Sequence, residues 1–186
     1  TLVGCGLGVC DDTLKIVFSL IENSTTPLVL DADALNCVAK QPEILLRKKA
    51  PIIITPHPGE MSRLTGLATP LVNAERERVA LDFAQKYGVV TVLKGAGTVI
   101  ASPNGKVLVN PTGNSGMATG GSGDVLSGVF ALMQKSGWYH GLFRPCVIDF
   151  TQGFIIFTEV IYEREIIKFK RRNQVKTRRN TRFDRP

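Results

Sequence analysis

The 186-residue sequence has no run of 18 apolar residues, so no membrane-spanning helix is indicated. Its start, Thr1-Leu2-Val3-Gly4, lacks the basic region, apolar stretch and cleavage site of a secretory signal. An initiator Met is also missing, and the sequence opens mid-pattern, as though inside a strand. The expectation is an α/β fold that is incomplete at its start. The four cysteines, Cys5, Cys10, Cys37 and Cys146, form no CxxC pair and no Cys/His metal spacing, which points to reduced thiols in a cytoplasmic protein. Gly4-Cys5-Gly6-Leu7-Gly8 lacks GxGxxG spacing, and no Walker lysine pattern is present. It reads instead as a turn where backbone approaches closely. No internal repeat is visible.

What is present is ordinary globular composition, 44% hydrophobic and 21% charged, enough for one domain with a core. The charge is unevenly spread. Residues 1–136 hold 12 Lys+Arg against 11 Asp+Glu, and residues 137–186 hold 11 against 5. Nearly all of the net +7 therefore sits in the last 50 residues. Such a tail suits nucleic acid or an acidic membrane surface. The two parts are expected to be a partial nucleotide- and substrate-binding domain over 1–136 and an atypical basic tail over 137–186. The run from Lys168 to Arg185 has little to bury and is expected to stay disordered without a partner.

The body alternates β-branched runs with amphipathic stretches, a parallel α/β pattern. Strands are expected at Leu2-Val3, Pro27–Asp31, Ile52–Thr55 and Val89–Leu93. Thr98–Ala101 and Val107–Val109 flank Pro103-Asn104-Gly105, a hairpin turn. Helices are expected from a cap at Asp11 or Asp12 to about Ile21, over Ala34–Val38, and over Glu60–Thr65 closed by Gly66. Another should run from a cap at Asn73, with Val79, Phe83 and Tyr87 as its apolar stripe and Gly88 at its end. A polar, Gly-rich loop from Asn110 to Gly121 leads to an apolar helix, Val125–Met133.

Five motifs carry chemistry. Gly120-Gly121-Ser122-Gly123-Asp124 precedes a helix, where glycine amides and the helix dipole form an anion site. Asp124 is placed to accept a proton from a substrate hydroxyl; an Asp cap after a flexible loop fits the same residues equally well. Thr55-Pro56-His57-Pro58-Gly59-Glu60 follows a strand, with two prolines holding His57 and Glu60 outward. Taken alone, this motif fits better a rigid turn with Glu60 in a helix's first turn. Asp31 and Asp33, past another strand end, suit a substrate hydroxyl or hydrated Mg²⁺, or a cap by Asp33. Lys94-Gly95-Ala96-Gly97-Thr98 suits a nucleotide lying against backbone, or a plain β-turn. With Gly4–Gly8, four of the five sit at strand C-termini, where parallel sheets build their crevice.

Taken in order, GCGLG, VLDADALN, ITPHPGEMSRLTG, VLKGAGTVIA and NPTGNSGMATGGSGDVLSG resemble the ADP- or ATP-dependent NAD(P)H-hydrate dehydratases of the ribokinase-like superfamily. The match covers roughly residues 1–130 and looks more like the bacterial, ADP-using branch. The resemblance implies a layered, mostly parallel sheet flanked by helices with a β-hairpin. It also implies repair of NADHX and NADPHX, the hydrated forms of NADH and NADPH, driven by nucleotide cleavage. Gly6, His57 and Asp124 would contact the hydrate, with Asp124 as base. Lys94, Gly95, Ala96, Gly97, Thr98 and Gly123 would hold ADP or ATP, and Mg²⁺ is implied by the superfamily. No metal ligand is assigned. A homo-oligomer is expected, with no membrane partner and nucleic acid disfavoured.

Cys5 stands where the family usually has Pro. Past Gly128, Ser136–His140 replaces the family's closing helix, which a frameshift near residue 135 would explain. Within the same fold, a vitamin-precursor kinase uses the same Gly-Ser-Gly-Asp device. A non-catalytic fragment with a nucleic-acid-binding tail is the reading from another class.

Overall fold

The computed structural model describes residues 1–110. The expectations for Gly123, Asp124, the helix Val125–Met133, the break near 135 and the basic tail lie outside the described residues.

Six short strands form one sheet in the order of the sequence. They are β1 (Leu2–Val3), β2 (Leu28–Leu30), β3 (Ile52–Ile54), β4 (Val90–Leu93), β5 (Val99–Ala101) and β6 (Val107–Val109). The first four are parallel; β5 and β6 are antiparallel, forming the hairpin expected around Pro103-Asn104-Gly105. The helices are α1 (Asp11–Asn23), α2 (Asp33–Val38), α3 (Pro58–Thr65), α4 (Thr69–Ala74) and α5 (Arg76–Tyr87), with a 3-10 turn at Pro42–Arg47. Among the described residues no helix is long and apolar enough to cross a membrane.

Neighbouring parallel strands joined by right-handed crossovers put their connecting helices on one face. Register agrees with that geometry. Leu28 pairs with Ile52, Leu30 with Ile54, Ile54 with Thr91, and Leu93 with Val99. Because side chains alternate along a strand, these residues share a face, and all but Thr91 belong to the main core cluster with Val17 and Ile21 of α1 and Phe83 of α5. Val29, Ile53, Val92 and Ile100 are also buried but stand outside that cluster, on the opposite face. Burial on both faces explains why β2 and β3 read as unbroken apolar runs rather than alternating ones.

The caps expected for the first and the last of these helices are not the ones found. Cys10, not Asp11 or Asp12, caps α1: its extended backbone (φ −142°) lets its N–H donate to Thr13 Oγ1 at 2.9 Å. Asp11 and Asp12 fall in the first turn, where the helix dipole favours them. Asn73 lies inside α4 and does not cap the following helix. Glu75, at φ −124° and ψ 40°, breaks the pattern into α4 and α5. Its N–H still bonds Leu71 O and its carbonyl accepts from Val79 N, so both helix ends keep a partner at the break. The C-termini follow the expected chemistry: Gly66 (φ 76°) and Gly88 (φ 62°) close α3 and α5 in the left-handed region.

Candidate functional site

The four parallel strands deliver four loops to the same sheet edge. Gly4–Gly8 follows β1, Asp31-Ala32-Asp33 follows β2, Thr55–Glu60 follows β3, and Lys94–Thr98 follows β4.

Gly4 is fixed by a close approach. Its φ is +129°, and a Cβ there would lie 1.8 Å from Asp31 O. Leu7 N bonds back to Gly4 O, closing the turn. Gly6, the expected hydrate contact, is exposed at φ +67° with no atom within 4 Å of an added Cβ. Asp33 does not cap α2; its Oδ2 accepts from Gly8 N at 2.8 Å and ties the first loop to the second. Between the two acids, Ala32 takes φ 47° and ψ −118°, a costly region for a residue with a side chain. The Asp31 carboxylate accepts the Ala32 N–H at 2.9 Å, and Asp31 O accepts from Ala34 N.

The prolines of the third loop work differently from expectation. Pro58 opens α3 at its first position, where a missing N–H costs nothing. Glu60 then points inward and is buried, not outward. Its Oε2 accepts the His57 N–H at 2.8 Å, and its Oε1 lies 3.5 Å from His57 Nε2. His57 keeps a half-exposed side chain. Its Nδ1 accepts from Gly59 N at 3.0 Å and Glu60 N at 3.4 Å, so the neutral ring carries its proton on Nε2. The loop thus leaves a half-exposed His57 with its second ring nitrogen, Nε2, facing a buried carboxylate.

Lys94 joins the second and third loops. Its Nζ lies 2.7 Å from Asp31 Oδ1 and 3.9 Å from Glu60 Oε2. Asp31, Lys94, Glu60 and His57 therefore form one chain of charged and polar groups along the sheet edge. The backbone beyond Lys94 is open: Gly95 and Ala96 are exposed, and Gly95 and Gly97 have φ of +147° and +66°. Thr98 Oγ1 bonds Gly95 O at 3.1 Å and folds the turn on itself. Beneath the turn, Arg76 Nη2 donates to Leu93 O at 2.9 Å. Sequence reasoning missed Arg76, because it is separated from the loop it touches and no motif marks it. An open surface hollow borders Arg76, Ala96 and Gly97 and has none of Asp31, His57 or Glu60 in its wall. The polar chain, which brings three of the loops together, marks the chemistry better than the hollow does.

Among the described residues, helices pack on a mixed sheet whose loops gather beyond the parallel strand ends, the arrangement of a ribokinase-like α/β protein. The chain belongs to the NAD(P)H-hydrate dehydratase family, whose profile matches residues 1–140. It is 47% identical over 135 residues to a bifunctional NAD(P)H-hydrate repair enzyme of Thermofilum pendens, covering 73% of this chain and 26% of that one. It is 38% identical to an ADP-dependent (S)-NAD(P)H-hydrate dehydratase of Neisseria meningitidis, covering 75% and 52%. A crystal structure of the ADP/ATP-dependent NAD(P)H-hydrate dehydratase of Bacillus subtilis, co-crystallised with ATP/Mg²⁺ and soaked with CoA, superposes with a TM-score of 0.64 at 38% identity, over 72% of this chain and 47% of that one. A ribokinase-like superfamily protein of Enterococcus faecalis gives 0.61 at 28% identity. The chain thus spans between a quarter and about half of the length of these relatives.

Proposed function

We propose that this protein dehydrates (S)-NADHX and NADPHX back to NADH and NADPH in a reaction coupled to cleavage of ADP or ATP with Mg²⁺, as a cytoplasmic homo-oligomer. One geometric observation carries the reading within the family: buried Glu60 contacts both His57 of the third loop and Lys94 of the fourth. A group held by His57 and a nucleotide held by the Lys94–Thr98 backbone would therefore be neighbours.

The residues fit a nucleotide. Positive φ at Gly95 and Gly97 leaves a ledge of exposed backbone that a planar base or ribose can approach without side-chain obstruction. Among the described residues no three His, Cys, Asp or Glu side chains gather as a metal cluster. Mg²⁺ suits this site as a companion of the nucleotide phosphates, keeping waters and few protein ligands.

When bound, the nucleotide supplies a transferable phosphoryl group. The hydroxyl of the hydrate would lose its proton to Asp124 as its oxygen takes that group, leaving AMP from ADP or ADP from ATP; loss of phosphate together with a proton from the adjacent ring carbon would then restore the ring double bond. His57 would donate from Nε2 to the hydrate, and Gly6 would let it lie against backbone. Gly123 would contribute its amide to the phosphates.

Recovery of NADPH absorbance from its hydrate, with ADP or ATP and Mg²⁺ present, tests the reading. Nucleotide-dependent recovery is expected, and Asp124→Ala should abolish it. Turnover of a vitamin-precursor alcohol with no recovery of NADPH would replace this reading with that of a kinase.

A further inference from the structure

The partly buried guanidinium of Arg76 belongs to no motif, yet it hydrogen-bonds backbone on both sides of the Lys94-Gly95-Ala96 segment. It starts α5, and its Nη2 reaches two carbonyls of the turn, Leu93 O at 2.9 Å and Gly97 O at 3.4 Å. Those carbonyls lie on either side of Lys94, Gly95 and Ala96, so one planar group pins both ends of the segment. The guanidinium also explains why position 95 is glycine. A Cβ there would lie 2.7 Å from Nη1, 2.9 Å from Nη2 and 3.1 Å from Cζ. The turn packs close against the tip of the guanidinium. Arg76 Nε is buried with no hydrogen-bond partner among the described residues, so the side chain is held here despite an unmet donor. Burial also pulls the guanidinium below the usual arginine range, though an arginine remains charged at any working pH.

We propose that Arg76 is the positioning residue of the nucleotide loop: it fixes the backbone of Lys94–Thr98 in the shape that receives the nucleotide, without touching the nucleotide itself. This rests on the nucleotide-binding reading of that loop. Its physical basis is that a ligand binding a preshaped loop does not have to order it, so loss of the clamp weakens binding while the bound state still reacts. Lysine has a shorter stem and a single nitrogen, so it cannot both reach these carbonyls and fill the space that Nη1 and Nη2 take beside Gly95, and it should not replace arginine here.

The test compares the native chain with Arg76→Gln, Arg76→Lys and a control, Arg78→Gln. Arg78 is exposed, on the same helix, and ion-paired with Glu75. Titration with ADP should show about tenfold weaker binding for both Arg76 variants and less than twofold change for Arg78→Gln. The KM for ADP should rise by the same factor while kcat at saturating ADP stays within about twofold. Amide hydrogen exchange, measured without nucleotide, should quicken at Gly95–Thr98 in the Arg76 variants and stay unchanged in β2 and β3. Native ADP affinity with native exchange in Arg76→Gln would overturn the proposal, as would full recovery by Arg76→Lys. If the native chain itself binds no ADP, the nucleotide reading fails, and the exchange comparison alone still decides whether Arg76 clamps the turn. Should Arg76→Gln fail to fold, Arg76→Lys gives the same readouts.

Discussion

Lys94 at the end of β4 and Asp31 at the end of β2 meet at 2.7 Å, so a single ion pair spans the strand that lies between them. Asp31 is 1% exposed and the Lys94 side chain 20%, which separates this pair from the solvent-exposed bridges elsewhere on the surface. Exposed pairs contribute little, whereas removing one partner of a buried pair takes away the opposite charge that offsets the other's burial. Lys94→Met should therefore lower unfolding free energy by about 3 kcal/mol in urea denaturation. The double variant Asp31→Asn with Lys94→Met should lose clearly less than the two single losses added together. A Lys94→Met loss under about 0.5 kcal/mol would put the pair among ordinary surface contacts.

The glycines of the first loop should separate by their surroundings. Gly4→Ala would drive a Cβ into Asp31 O and toward Ala34, at a φ that side chains avoid. Backbone must move, and a loss of at least about 2 kcal/mol is expected. Gly6→Ala meets open space and bears only the left-handed backbone penalty, about 1 kcal/mol. Thermal unfolding of the two variants checks the order. If Gly6 also receives the hydrate, Gly6→Ala should lose more activity than its small stability change accounts for.

Much of this arrangement was legible because it is local. The strands at Leu28–Leu30, Ile52–Ile54 and Val90–Leu93 announce themselves as short apolar runs, β-branched in all or most positions of the last two, and Gly66 and Gly88 mark helix ends through backbone freedom alone. What was not legible is long-range. Glu60 was expected to face outward, since nothing near it in sequence shows that Lys94 arrives from 34 positions away to share its burial. Asp33 was weighed as a cap, and only the fold brings Gly8 N to it. Arg76 has no apolar period or motif to mark it; its partners are carbonyl oxygens, which every residue has. Helix α4 was not expected at all: one helix was expected to start from a cap at Asn73, whereas a single non-helical φ/ψ pair at Glu75 separates α4 from α5.

The thiols of α1 and α2 should react at different rates. Cys10 is exposed, and hydrogen bonds from Thr13, led by its backbone N–H, lower its thiol from the ordinary value. Cys37 is buried, and that burial pushes its thiol up. The thiolate is the reactive form, and access limits the reagent as well. Brief iodoacetamide treatment of the native protein at neutral pH, followed by peptide mass spectrometry, should label Cys10 well ahead of Cys37. Thr13→Val should slow Cys10 labelling, because the side-chain hydrogen bond to its sulfur is lost. Equal rates at the two cysteines in the native protein would contradict the assigned environments.

His57 holds two roles that a single substitution can separate. Its Nδ1 caps α3 by accepting from Gly59 N and Glu60 N, and its Nε2 remains beside Glu60 with half of the side chain exposed. Asparagine is a strong N-cap whose side-chain oxygen can accept the same amides. His57→Asn should therefore keep stability within about 0.5 kcal/mol of native, whereas His57→Ala should lose about 1 kcal/mol. Asparagine cannot reproduce the Nε2 donor farther out on the ring. If that donor holds the hydrate, His57→Asn should lose at least about tenfold in kcat/KM, a deficit of roughly 1.4 kcal/mol in transition-state binding. Glu60 supports both roles by accepting the His57 backbone N–H and facing Nε2. Glu60→Gln keeps its size but weakens its pull on the ring proton and on Lys94, so it should lose activity and stability together. A stable His57→Asn protein with undiminished activity would confine His57 to its capping role.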